Sequence, residues 1–216
     1  MTNAHYHRGA ETLLSLRGKE YRFFGVHPWN AESAQAEGFV CGLRDALARD
    51  LDAGVGEIGL DRLKVKSVTQ RQRELFAAQL EIAADMRRPV VLHGAKCWGE
   101  VVKMARPYAG RIPAFLFHGF SRSAGLVPEI AVLNGFFGVG KAVLNDHAVN
   151  YRELVKGLPV DRLLVETDDD SAEEDRNALV GEIFAKVAEL TGMTERQADG
   201  NCARFLGALG ASASHA

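Results

Sequence analysis

Residues 67–93 run from Ser67-Val68-Thr69-Gln70 to Arg88-Pro89-Val90-Val91-Leu92-His93 and decide how this chain is built. In the middle of the stretch Leu75, Phe76, Leu80, Ile82, Ala83 and Met86 fall mostly on one helical face, with Arg71, Arg73, Glu81 and Arg88 elsewhere. Ser67-Val68-Thr69-Gln70 offers a capping box at the helix start. Pro89 stops the helix and launches an extended segment, because proline lacks an amide donor and disfavours helical backbone before it. Val90-Val91-Leu92 is a short apolar run of the kind that forms a buried strand, and it ends on His93. A polar residue at the carboxyl end of a buried strand, repeated from strand to strand, is how a (β/α) barrel builds its active site.

The same alternation extends in both directions. Strands are predicted at 3–7, 22–27, 53–58, 89–93, 114–118, 135–139 and 162–167, and helices at 9–16, 31–50, 69–87, 97–107, 122–133, 146–156, 175–191 and 195–208. Alternating βα units with right-handed crossovers give a parallel sheet. The expected fold is α/β, a TIM-type barrel that is incomplete or irregular with about seven strands, since a full barrel takes about 250 residues. Thirteen residues separate His7 from Tyr21, which leaves room for one short helix and no extra strand. Residues 1–209 are expected to form a single domain, followed by a flexible tail at 210–216.

The 216 residues are 47% hydrophobic and 25% charged, ordinary for a globular protein with one core. No apolar run approaches the roughly 20 residues needed to cross a bilayer, and the first residues lack the pattern of a secretory signal. Cys41, Cys97 and Cys202 are odd in number and far apart, which suits free thiols in a reducing cytoplasm. The net charge of −2 excludes a broad basic footprint for duplex DNA, so a nucleic-acid substrate would be held through a few phosphates near an end.

Most of the metal-ligating side chains sit at the ends of the short apolar runs. His5 and His7 are two apart, and on a strand that spacing points both to one face. Glu57 lies among glycines and apolar residues, where a carboxylate needs a metal or a salt bridge such as one to Arg62. His93 and His118 each end a strand, and Asp168 closes Leu163-Leu164-Val165-Glu166-Thr167-Asp168. Four imidazoles and two carboxylates suffice for two divalent cations. Taken singly, each has a plainer role: terminal histidines on the surface, satisfied core imidazoles, or a helix cap at Asp168.

The order of these blocks resembles the TatD family of metal-dependent DNases, within the wider amidohydrolase-like barrels. His5-Tyr6-His7, Gly25-Val26-His27-Pro28, Gly56-Glu57-Ile58-Gly59-Leu60-Asp61, Pro89–His93, His118-Gly119-Phe120-Ser121 and Glu166-Thr167-Asp168 are similar to its motifs in order, and Asn201–Gly207 is similar to its closing signature. Several departures stand out. Asn3 replaces an Asp, His93 is followed by Gly94-Ala95 where the family has Ser-Arg, and Asp169-Asp170 follows the last motif. The segment between His7 and His27 is short.

The resemblance implies a two-metal hydrolase of DNA or oligonucleotide ends. His5, His7, Glu57 and Asp168 would hold one cation, and Glu57, His93 and His118 the other, with Glu57 bridging. Glu57 and Asp168 are the expected catalytic residues, Asp168 as acceptor of the water's proton. An imidazole–carboxylate set suits Zn, Mn, Fe or Ni, and Mg less well. His27 is expected to orient substrate, or to be structural beside Pro28. Lys96 is expected either to replace the missing arginine or to be a solvated lysine, and Arg122, which follows the His118 motif, is a candidate phosphate clamp. Trp98 either stacks a base or packs in the barrel mouth. Two further functions remain open, a small-molecule amide, ester or lactone hydrolase on the same centre and a catalytically silent metal-binding barrel.

Overall fold

Eight strands hydrogen-bond in sequence order: β1 (His5–Arg8), β2 (Glu11–Leu16), β3 (Lys19–Phe24), β4 (Gly54–Asp61), β5 (Val90–Ala95), β6 (Phe115–Phe117), β7 (Gly135–Val139) and β8 (Leu163–Val165). The helices are α1 (Ala36–Arg49), α2 (Gln70–Asp85), α3 (Trp98–Ala105), α4 (Val127–Val132), α5 (Val149–Lys156), α6 (Glu173–Thr191) and α7 (Glu195–Gly210). This computed structural model describes residues 5–8, 11–16, 19–64, 66–168 and 173–210, with side chains at 19–64, 66–168 and 175–209. Residues 211–216 of the expected tail lie outside the described residues. No helix of the described residues is long and apolar enough to cross a membrane.

β3 to β8 are parallel and curl into a half-barrel, an incomplete TIM-type arrangement. The helix expected at 9–16 is instead β2, antiparallel to both neighbours, with Thr12 opposite Phe23 and His7. The expectation failed because it allowed only crossover connections. An antiparallel strand needs no more than a tight turn at each end, so thirteen residues accommodate it.

Both faces of the parallel strands are covered, and the period-2 alternation sorts their side chains. Val90, Leu92, Phe115, Phe117, Phe137 and Val139 join the core beneath the helices that follow each strand. Val91, Leu116, Phe136 and Leu164 join the other cluster, with Cys202, Phe205 and Leu206 of α7. Phe205 stacks on Phe23 (centroids 5.9 Å apart) and meets Phe136 edgewise (5.7 Å). The C-terminal helix thus covers strands that a complete barrel would bury against its own far wall.

The start of α2 differs in detail from its sequence pattern. Thr69 is the cap, its hydroxyl accepting the Gln72 amide at 3.1 Å. Gln72 does not close a box; its side chain accepts from Asp61 N and donates to Pro28 O. Arg88, assigned by periodicity away from the apolar face, is buried. Its guanidinium donates to the carbonyls of Leu47, Leu51 and Ala53, tying the end of α1 to the start of β4.

Candidate metal centre

Glu57 lies on β4, His93 on β5, His118 just past β6, and Asp168 past β8. The parallel register sets them side by side at one mouth of the sheet; Gly59 on β4 pairs with His93 on β5. The buried Glu57 carboxylate is the centre. Its Oε1 lies 3.0 Å from His93 Nδ1 and 3.9 Å from His118 Nε2, and His118 Nε2 in turn lies 3.4 Å from Asp168 Oδ2.

Each of these imidazoles is held from behind by a second carboxylate. His93 Nε2 lies 2.9 Å from Asp61 Oδ2, and His118 Nδ1 lies 2.9 Å from Glu166 Oε1. A ring pinned to a carboxylate through one nitrogen and open toward a shared acid through the other is the arrangement of metal-ligating histidines. The residues therefore fit a divalent cation. Burial alone would pull the His118 imidazolium down, yet the charges of Glu166 and Glu57 and hydrogen bonds to Asp168 and Glu166 hold it well above the usual 6.5. His93 is likewise opposed by burial and raised by Glu57 and Asp61. Excess negative charge in a buried cluster is what a cation would neutralise.

His27 joins this group. Its Nε2 is 3.2 Å from His93 Nδ1, and His27, Glu57 and His93 offer ligand atoms all within 4.8 Å of one another. The sequence assigned His27 to substrate or to structure; the fold sets it among potential ligands. It caps a single 3-10 turn, Pro28–Asn30, with Nδ1 accepting from the Trp29 amide. Two glutamines of α2, seven apart and so on one face, clamp this loop. Gln79 accepts from Val26 N at 2.6 Å and donates to Val26 O at 3.3 Å, while Gln72 holds Pro28.

Asp61, the last residue of β4, ties down the loop that follows the strand. Oδ1 accepts from the amides of Leu63 and Lys64, and Oδ2 from the Trp29 indole N–H at 2.7 Å, beside His93. Burial would raise this carboxyl, but the Lys64 amide, Trp29, His93 and the Leu63 amide together hold it below its ordinary value.

Lys96, Arg122 and Asp168 have φ values of 58°, 65° and 51°. Left-handed backbone in side-chain-bearing residues is uncommon and clusters at functional sites. The bends set Lys96 and Arg122 at the mouth. Arg122 lines two adjoining cavities along with His118, Gly119 and Ser121. One, about 1050 Å³, opens toward Lys141, His147 and Tyr151; the other, about 770 Å³, toward Arg62, Lys96 and Trp98.

Trp98 is a packing residue, tilted against Phe117 and Phe120 at 5.6 Å each. Its ring fills the space a Cβ at position 94 would need, which accounts for Gly94 after His93. Burial pushes the Cys97 thiol up to about 12, so it offers no thiolate. His5 and His7 stand on β1, which β2 separates from β3, and their side chains lie outside those described. Sequence reasoning missed Glu166, Gln72, Gln79 and Trp29. A polar residue on an otherwise apolar helix face was the available signal for the glutamines, and position two before Asp168 for Glu166.

Residues 2–204 match the family described as TatD related DNase. The 3'-5' ssDNA/RNA exonuclease TatD of Klebsiella pneumoniae is 32% identical over 172 residues, 77% of this chain and 64% of that protein. The uncharacterized metal-dependent hydrolase YabD of Bacillus subtilis is 29% identical over 148 residues, 68% of this chain and 58% of that one. This chain thus spans less than two thirds of either curated relative. The crystal structure of the TatD homologue YJJV from Escherichia coli K12 superposes with a TM-score of 0.71 at 25% identity, over 86% of this chain and 76% of that one. A TatD family hydrolase from Entamoeba histolytica shares the fold, with a TM-score of 0.70 at 16% identity over 85% of this chain and 73% of that one.

Proposed function

The chain belongs to the TatD related DNase family, and from that premise we propose that it is a divalent-metal-dependent hydrolase of phosphodiester bonds, acting on the ends of single-stranded DNA or short oligonucleotides. The observation that carries the reading is Glu57 shared between His93 and His118, each ring backed by its own carboxylate. The relatives named as 3'-5' ssDNA/RNA exonucleases support the substrate class.

His93, His118 and Glu57 would hold one cation. A second would take Glu57 and Asp168 with His5 and His7, and His27 is a further donor close to Glu57 and His93. Zn, Mn, Fe or Ni suits such a set better than Mg. When bound, the metals supply a water acidified to a pKa of roughly 7 and offset charge on the phosphate oxygens. The chain does the rest. Asp168, half exposed at the mouth, accepts the water's proton on its carboxylate. Arg122 and Lys96 hold phosphate oxygens beside the bond that breaks. The three free thiols fit a reducing cytoplasm as the place of action.

Metal analysis of the purified protein, paired with release of nucleotides from labelled single-stranded DNA with and without chelator, tests this. Chelator-sensitive release that Glu57→Ala abolishes together with metal binding is expected. Full activity and metal content in that variant would refute the role of Glu57. Gly94-Ala95, in place of a motif carrying arginine, favours a second reading as a hydrolase of small amides, esters or lactones. No nucleotide release but turnover of such substrates would select it.

A further inference from the structure

Trp29 is 54% exposed, although tryptophan usually buries most of its large ring. It is nonetheless fixed. The indole N–H donates to Asp61 Oδ2 at 2.7 Å, and the ring stands edge-to-face with His27 (4.7 Å between centroids) and 6.2 Å from His93. The polar edge of the indole is thus held beside the candidate metal ligands while about half of the residue's surface stays open to solvent.

A cation lies over the ring. Lys64 Nζ lies 4.3 Å from the centre of the indole ring. Asp61 sets that position as well, since its Oδ1 accepts the Leu63 and Lys64 amides and turns the loop back over Trp29. The neighbouring Arg62 and Leu63 line the 770 Å³ cavity that also holds Lys96 and Arg122. One carboxylate therefore positions a flat aromatic face, an ammonium above it and a ligand imidazole behind it.

We propose that Trp29 is the stacking platform for a nucleobase of the single strand, with Lys64 binding the phosphate attached to that base. This rests on the nuclease reading above and specifies how substrate is held. An exposed ammonium–ring contact is weaker than base–aromatic stacking, so an incoming base displaces Lys64 at net gain. The displaced ammonium stays within reach of the phosphate. Because every base has a π-face, the platform holds the strand without selecting its sequence.

The chain has two tryptophans, and Trp98 is only 4% exposed, so quenching of exposed-type emission reports on Trp29. The probe is a short oligothymidylate, titrated in chelator so that nothing is cleaved, against an abasic strand with the same number of phosphates. The base-bearing strand is expected to quench Trp29 and to bind more tightly than the abasic one. Trp29→Ala should weaken binding of the base-bearing strand about 5- to 150-fold and erase the preference over the abasic strand. Trp29→Phe, which keeps a ring, should retain most of both. Equal affinity for the two strands, or an unaltered Trp29→Ala variant, would overturn the platform. A parallel metal-loaded cleavage assay separates the two failures. Cleavage without base preference defeats the platform and leaves the nuclease standing, whereas neither binding nor cleavage defeats both.

Discussion

Glu166 Oε1 lies 2.9 Å from His118 Nδ1 while also accepting the Gly119 amide at 2.6 Å. This buried carboxylate fixes the ring of His118 and leaves Nε2 turned toward Glu57 and Asp168. Outer partners of ligating histidines commonly contribute 10–100-fold to metal affinity. Glu166→Gln, which keeps the volume and loses the charge, should weaken metal binding by about that factor in calorimetric titration. Unchanged affinity would remove Glu166 from the site.

Gly138 on β7 makes room for Glu166. A Cβ there would collide with both carboxylate oxygens. Gly138→Ala should therefore reproduce the metal defect of Glu166→Gln without touching a titratable group. The overpacking should also cost about 1–3 kcal/mol of stability, measured by urea unfolding. Normal metal binding in that variant would mean that Glu166 has another place to go.

Gln79 clamps both backbone groups of Val26, one residue before His27. Gln79→Leu keeps the helix face apolar but strands a buried amide and carbonyl. A loss of about 1–3 kcal/mol is expected. If the clamp also positions the loop of His27 and Trp29, KM for oligonucleotide should rise more than kcat falls. A change in stability alone would confine Gln79 to a structural role.

The metal-free protein should respond to pH with a defined sign. His118 and His93 have pKa values raised above 6.5 in the fold. Their protonated forms stabilise the folded state fully below the unfolded value near 6.5, and that contribution is lost as pH rises through the folded values. Metal binding requires the neutral rings, so its affinity should climb over the same window. Melting temperatures with chelator should fall from pH 6 upward, and added metal should reverse the trend. A flat chelated profile would show that these histidines do not carry the raised pKa values.

Much of the parallel sheet was legible in the chain. Runs such as Val90–Leu92 and Phe115–Phe117 carry their own strand signal, and at the start of α7 Thr194 and Gln197 close a capping box of the S/T-x-x-E/Q pattern. Glu57, His93, His118 and Asp168 were legible because each stands out as polar at the end of an apolar strand. The hairpin strand β2 was not, since six residues without strong alternation take their structure from the neighbours they pair with.

Periodicity and polarity are local properties, so the sequence by itself determined the βα order from β3 onward, the polar residues at the strand ends and the family to which the chain belongs. Only the tertiary structure decided which side chains meet across strands. Asp61 behind His93, Glu166 behind His118, two helix glutamines on the His27 loop and an exposed indole beside them are contacts between residues 32 to 53 positions apart. Such contacts depend on register and curl, which no short window of sequence contains.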